Sequence, residues 1–213
     1  MNGRTRKRWG LLRAVSTRRI SILILSTALG GVSLGCTAAK EFAALRRVEF
    51  RFDGITGARV AGIPLRNIRS YSDLTAVDLG RVGIAIARGD VPLDLTVHVE
   101  GRNPESNDVT ARLLRLGWAY LVDDREVVTG RLTEAYTFPP GEPRDVPLLV
   151  TFNLMDVFGD QRQDLIDIAL ALAGQRSSTH KITLRLDPTV ETPVGPIRYP
   201  IPITLDLSSP ATR

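Results

Sequence analysis

Two histidines, one cysteine and a loose run of four aspartates are the residues of this 213-residue chain whose types and spacing could do chemistry. A histidine can act as a general base or a metal ligand. His98 stands on the polar side of an alternating run and His180 opens another after "RSST", so both read as solvated surface residues. With no His-x-His or HExxH spacing and a single thiol, a zinc site has no ligand set. A Ser-His-Asp arrangement likewise lacks a well-placed imidazole to build on. Asp156, Asp160, Asp164 and Asp167 recur at near-helical spacing. A calcium loop would need a glycine-turned segment with alternating ligands; these read as a solvated helix face that favours the helix dipole. "GVSLG" at 31–35 matches the G-x-S-x-G hydrolase string. That motif works only on a strand-to-helix turn of a folded domain, and here it sits in an export segment. No catalytic group, metal site or cofactor is expected, and the chain is not expected to be an enzyme.

The export segment is read from charge and hydropathy. Residues 1–35 carry seven basic side chains and no acid, and "ISILILSTALGGVSL" (20–34) is an apolar stretch of 15. A membrane-crossing helix needs about 20 such residues, so residues 1–35 read as a signal peptide. Cys36, the only cysteine, follows in "SLGC". Gly35-Cys36 resembles the lipobox of bacterial lipoproteins, in which the cysteine is lipidated and becomes the mature N-terminus. Cleavage after Thr37-Ala38-Ala39, a small-x-small run, would instead discard it. The resemblance implies attachment to the membrane through the N-terminal lipid. Each buried CH₂ of an acyl chain contributes about 0.8 kcal/mol, and stable anchoring takes more than one chain. Thr37 stands where an aspartate would retain such a protein at the inner membrane. In a Gram-negative envelope, the expectation is an outer-membrane lipoprotein facing the periplasm.

The remaining chain sets further bounds. Seven of the 28 Lys and Arg residues belong to 1–35, which leaves 21 against all 23 acids, a net charge of −2. Binding to a phosphate backbone requires a basic footprint, so nucleic acid is excluded as a partner. A mature body with no second cysteine has no disulfide. Its stability must come from the core, and a chain of this length can bury roughly 70% of its unfolded surface.

The elements that must position any site are mostly strands. "RVEFRFD" alternates with Val48, Phe50 and Phe52 on one face, and "GARVAGIPLRNI" (57–68) is a second, irregular strand. Residues 73–89 suit a helix, with Thr75 and Asp78 at capping-box spacing and Gly89 as its stop; close packing on a sheet would explain Gly80 and Gly83. "VPLDLTVHVEG" (91–101) alternates again. Residues 109–122 and 126–136 make a hairpin turning at Asp123-Asp124-Arg125, and "DVPLLVTFNL" follows the loop "FPPGEPR". Residues 160–173 form the second helix, with Asp160 and Gln163 at capping-box spacing and Gly174 closing it. "HKITLRLD" and "PIRYPIPITLDL" complete the chain, and Pro200 and Pro202 confine the last strand to a sheet edge. Strands without a βαβ rhythm predict a mostly β fold. The expected architecture is an antiparallel β-sandwich, immunoglobulin- or fibronectin-III-like, of about seven to eight strands with two short helices.

Between the strand 91–101 and the hairpin lies "NPESNDVT". Asn103 ends the strand and Pro104 fixes φ, which turns the chain out of the sheet. A strand containing Tyr120-Leu121-Val122 follows, then a turn and Val128-Thr129-Gly130. This succession resembles the late embryogenesis abundant (LEA) type 2 family, with its water-stress and hypersensitive-response domain, and Glu105 departs from the asparagine often found third in the turn. The resemblance spans roughly residues 46–207. It implies a seven-stranded sandwich with a helix and a non-enzymatic role in stress or desiccation tolerance, here in a membrane-tethered form. The expected domain plan is a signal peptide at 1–35, a lipidated N-terminus and lead-in at 36–45, the LEA type 2-like sandwich at 46–207 and a tail at 208–213. The alternative is a periplasmic binding module for an apolar ligand, a lipid or an envelope protein, with Trp118, Tyr120 and Phe152 as candidate pocket lining.

Overall fold

A computed structural model of the chain describes residues 45–161, 164–192 and 195–208, all within the compact unit Ala38–Arg213. The expected signal peptide, Cys36 and nearly all of the expected lead-in lie outside the described residues. Among these residues, no helix is long and apolar enough to cross a membrane.

The fold is mostly β and antiparallel, as the alternation predicts. One sheet has the order β2-β1-β3-β8: β1 is Glu49–Val60, β2 Ile63–Pro64, β3 Pro92–Arg102 and β8 Pro143–Asn153. The other has β5 (Arg115–Val122) between β6 (Arg125–Leu132) and β9 (Ile182–Thr192). Two short strands, β10 (Gly195–Arg198) and β11 (Ile203–Asp206), share the far edge of β9. Between the sheets, Leu93, Leu95, Val97 and Val99 of β3 and Val146, Leu148, Val150 and Phe152 of β8 are buried. They share one core with Leu116, Trp118, Tyr120 and Val122 of β5 and Ile182, Leu184 and Leu186 of β9. Each fully buried side chain of this kind contributes roughly 1.5–3 kcal/mol, and this alternation makes the two sheets a sandwich.

The described residues hold eleven strands and three α-helices, more pieces than the pattern predicts. The physical reasons are local. The hairpin turns where expected, with Asp123 and Asp124 both at positive φ (50° and 62°) in a two-residue turn. Its arms then break. At Leu114 the backbone N–H donates to the Thr189 carbonyl (3.2 Å), so β4 (Ala111–Leu113) and β7 (Tyr136–Phe138) form their own two-stranded ladder. The final strand is split at Pro200–Pro202 into β10 and β11, and Ile201 between the two prolines is exposed. The opposite happens near residue 55, where two strands were expected. There β1 runs on unbroken, because register shifts at Gly54 and between Thr56 and Arg59 absorb the irregularity.

The helices also differ in detail. The first, α1 (Ala76–Arg88), has the predicted capping box between Thr75 and Asp78 and ends at Gly89 in the left-handed region. A second, unpredicted helix, α2 (Leu154–Phe158), is capped by Asn153, whose Oδ1 accepts from the Met155 and Val91 N–H groups. The third, α3 (Leu165–Leu172), begins later than the Asp160–Gln163 spacing predicts: Asp160 lies in a 3-10 turn, Gln163 is outside the described residues, and Asp164 precedes the helix. Six of its eight residues are buried. A helix apolar on nearly every side belongs in a core.

Glycines test this packing in both directions. A Cβ on Gly80 or Gly83 would meet nothing within 4 Å, so close packing on a sheet does not explain them. Gly130 is different: it pairs with Trp118, and a Cβ there would lie 2.1 Å from the indole Cζ2. Gly80→Ala and Gly83→Ala are expected to raise stability by up to about 1 kcal/mol each. Gly130→Ala is expected to lower it by about 1–3 kcal/mol through overpacking. Urea unfolding of the three variants checks this, and a stabilising Gly130→Ala would contradict the packing described.

Candidate functional site

The Asn103-Pro104 turn is a buried polar knot. Asn103, at the end of β3, is fully buried. Its Nδ2 donates to the carbonyls of Val109 (3.0 Å) and Phe138 (2.8 Å), and its Oδ1 accepts from Asn107 Nδ2 (2.7 Å). Its backbone carbonyl accepts from Gly141 N–H (2.8 Å), and the Pro104 carbonyl accepts from Asn107 N–H (2.9 Å). One side chain thus fastens the end of β3 to the loop before β4 and to the end of β7. Gly101 completes the joint, since a Cβ there would lie 2.4 Å from the Phe138 ring. Asn107, buried beside Asn103, was not singled out from the sequence. Its signal was a second carboxamide four residues after the first.

The candidate pocket aromatics share none of the grooves described among these residues. Tyr120 is fully buried, its ring 5.9 Å from that of Phe152 and its hydroxyl donating to the Leu172 carbonyl (3.5 Å). Burial pushes its phenol well above the ordinary tyrosine range. Trp118 covers Gly130 and also borders a surface groove on the five-stranded sheet.

Both histidines, read from sequence as solvated, are engaged. His98 Nε2 is 2.7 Å from Thr56 Oγ1, and its Nδ1 is 2.9 Å from Asp145 Oδ2. A hydroxyl, an imidazole and a carboxylate in line are parts from which a nucleophile can be built. Here they stand on the outer face of the four-stranded sheet, tying β1, β3 and β8. None of the three residues lines any of the surface grooves described here, and acyl transfer also needs donors aimed at the developing oxyanion. His180 Nδ1 is 2.7 Å from Asp123 Oδ2, and its ring packs 5.1 Å from Phe158. The hydrogen bond from His180, with another from the Lys181 N–H, holds the Asp123 carboxyl below its ordinary value of 3.8. Of the four aspartates, Asp156 accepts from Asn153 Nδ2 (3.2 Å) and Asp167 pairs with Arg176. Among the described residues, no three histidine, cysteine or acidic side chains gather to hold a metal ion.

The feature that sequence reasoning missed is basic. On the outer face of the five-stranded sheet, Arg115, Arg131, Arg185 and Arg198 surround a groove of about 650 Å³ together with Gly117, Ala119, Thr129, Thr189 and one acid, Asp187. Arg185 is paired with Glu126 (2.6 Å) and lies 3.9 Å from Asp187. Among the described residues, no carboxylate pairs with Arg115, Arg131 or Arg198. The signal was available: these arginines occupy the outward positions of strands whose inward residues are apolar, but they come from four separate strands.

No family model matches the chain, and no curated protein matches it. Solved structures with some likeness include a protein from Archaeoglobus fulgidus (11% identity, 76% of this chain and 99% of that one, TM-score 0.35). A candidate late embryogenesis abundant (LEA) protein is another (14% identity, 87% and 85%, TM-score 0.39). A third is a protein from Arabidopsis thaliana (16% identity, 58% and 74%, TM-score 0.36).

Replacing Asn103 by Ala removes the side-chain donor to the Val109 and Phe138 carbonyls, and each unsatisfied buried group costs about 1–3 kcal/mol. Asn103→Ala is expected to lose at least about 3 kcal/mol in urea unfolding, with Asn103→Asp equally damaging because a carboxylate cannot donate. Near-native stability of either variant would remove the knot's structural role. For Asp123 the folded value is depressed, so its contribution is complete above 3.8 and is lost as the pH falls through the lower folded value. Asp123→Asn keeps the left-handed turn accessible and is expected to lower the melting temperature at neutral pH and to flatten its fall below about pH 4. An acid limb identical to that of the wild type would show that this contact does not contribute.

Proposed function

We propose that the chain is a non-enzymatic, membrane-anchored lipoprotein of a bacterial cell envelope, whose β-sandwich serves in tolerance of drying and water stress. The reading is supported by one observation. The residues that carry the resemblance to the LEA type 2 family take up framework positions: Asn103 is the buried knot, Tyr120 fills the core, and Gly130 lies beneath Trp118. A motif that builds a scaffold and presents no reacting group suits a structural or protective protein. Lipid on Cys36 would hold the domain at the membrane through residues 37–45, on the periplasmic side of the outer membrane in a Gram-negative cell.

Deleting the gene is expected to lower survival of drying and of osmotic shock. The wild-type chain should restore survival, and a Cys36→Ser chain should leave the membrane fraction, fail to incorporate labelled palmitate and restore survival poorly. Unchanged survival under both stresses would count heavily against the stress role. Membrane retention of Cys36→Ser would refute the anchor independently.

A further inference from the structure

We propose that the arginine-lined groove on the outer face of the five-stranded sheet binds a discrete ligand carrying two phosphate groups, a site independent of the anchoring and stress reading. The strand register builds it row by row. Arg198, Thr189 and Arg115 face one another across β10, β9 and β5. The next row is Asp187, Gly117 and Arg131, and the third is Arg185, Ala119 and Thr129. With strands ~4.8 Å apart and same-face residues ~6.8 Å apart along each strand, the Cα atoms of Arg115 and Arg198 are ~10 Å apart and those of Arg115 and Arg131 ~8 Å. Gly117 and Ala119 keep the centre low, so the long side chains stand round a trough of about 650 Å³, a size that holds a small molecule.

The chemistry of the lining selects phosphate. A guanidinium offers a planar fork of donors that matches phosphate oxygens in pairs, and Thr129 and Thr189 add hydroxyl donors. Arg115, Arg131 and Arg198 are neighbouring like charges with no carboxylate partner among the side chains described, which exclude those of residues 190–196, an arrangement that a bound dianion would relieve. Asp187 is the only acid in the lining, held toward Arg185, and can accept hydroxyls of a group between the two phosphates. The row beyond limits the length of the anion. There Thr183 and Leu121 stand between Asp206 and Glu126, the latter paired with Arg185, so this row adds no net positive charge to hold a longer polyanion or a flat anionic membrane. The trough therefore suits a short ligand.

The test uses the full chain in neutral-detergent micelles at low ionic strength, titrated calorimetrically with fructose 1,6-bisphosphate as the probe. Saturable binding is expected, with orthophosphate markedly weaker. The double variant Arg115→Gln/Arg131→Gln, shown by its melting curve to remain folded, should bind at least about tenfold more weakly, since each lost charged hydrogen bond is worth about 1.5–3 kcal/mol. Arg51→Gln, on the other sheet and paired with Glu100, should bind like the wild type. Absence of saturable binding, equal affinity for orthophosphate, or an unchanged double variant would overturn the proposal. Doping the micelles with phosphatidylglycerol should leave the affinity unchanged. Competitive displacement would assign the face to lipid headgroups and overturn the discrete ligand.

Discussion

The carboxamide of Asn103 is the joint that ties the end of β3 to the small β4–β7 ladder. It lies where β3, the central strand of one sheet, ends and where the chain must leave for the other. Pro104 forbids continuation, and a loop that leaves a sheet carries backbone groups with no ladder partners. A buried carbonyl without a partner is costly. Asn103 answers two such carbonyls, those of Val109 and Phe138, and returns its oxygen to Asn107. Few side chains other than a primary amide supply two donors and an acceptor from one rigid plane. The crossover is thereby tied to the strand it leaves and to the strand it later meets.

Two contacts between glycine and an aromatic ring extend the same logic. Phe138, whose carbonyl accepts from Asn103, lays its ring on Gly101, and Trp118 lays its ring on Gly130. In each case an aromatic ring occupies the space that a Cβ would fill, so ring and backbone meet more closely than any other residue would permit. Glycine weakens a strand interior by itself. Here the loss is offset by aromatic surface buried against the sheet.

The fold was legible in the sequence wherever a single physical signal decided the outcome. Alternation over 91–101 and 145–152 placed the correct residues inside, and Thr75, Asp78 and Gly89 bounded α1. It was less legible where two signals competed. The spacing of Asp160 and Gln163 matched a capping box, yet the helix starts only at Leu165. Asn153, which caps α2 and binds the Val91 N–H from 62 residues away, could be recognised as a cap only with its partner in view. The breaks in the long hairpin have the same origin, since the N–H of Leu114 goes to the carbonyl of Thr189, far along the chain. The histidines looked solvated because their partners, Thr56 and Asp145 for His98 and Asp123 for His180, are remote in sequence.

The arginine groove shows why net charge is a weak guide to a local surface. Residues 36–213 carry a balance of −2, which argues against a body that attracts polyanions as a whole. A sheet, however, sorts residues by parity. Strands β5, β6 and β9 send their large apolar residues mainly to the core and their charged residues to the outer face, and the register then decides which charged residues become neighbours. Four arginines that are scattered over 84 positions of sequence fall into three adjacent rows of one face. Such a field is short-ranged, because at physiological ionic strength screening acts within about 8 Å. It can select a small anion seated among the guanidinium groups while the molecule as a whole repels a large one. Tyr120 and Phe152 are buried in the core between the sheets, whereas on the outer face of the five-stranded sheet charge, shape and access coincide.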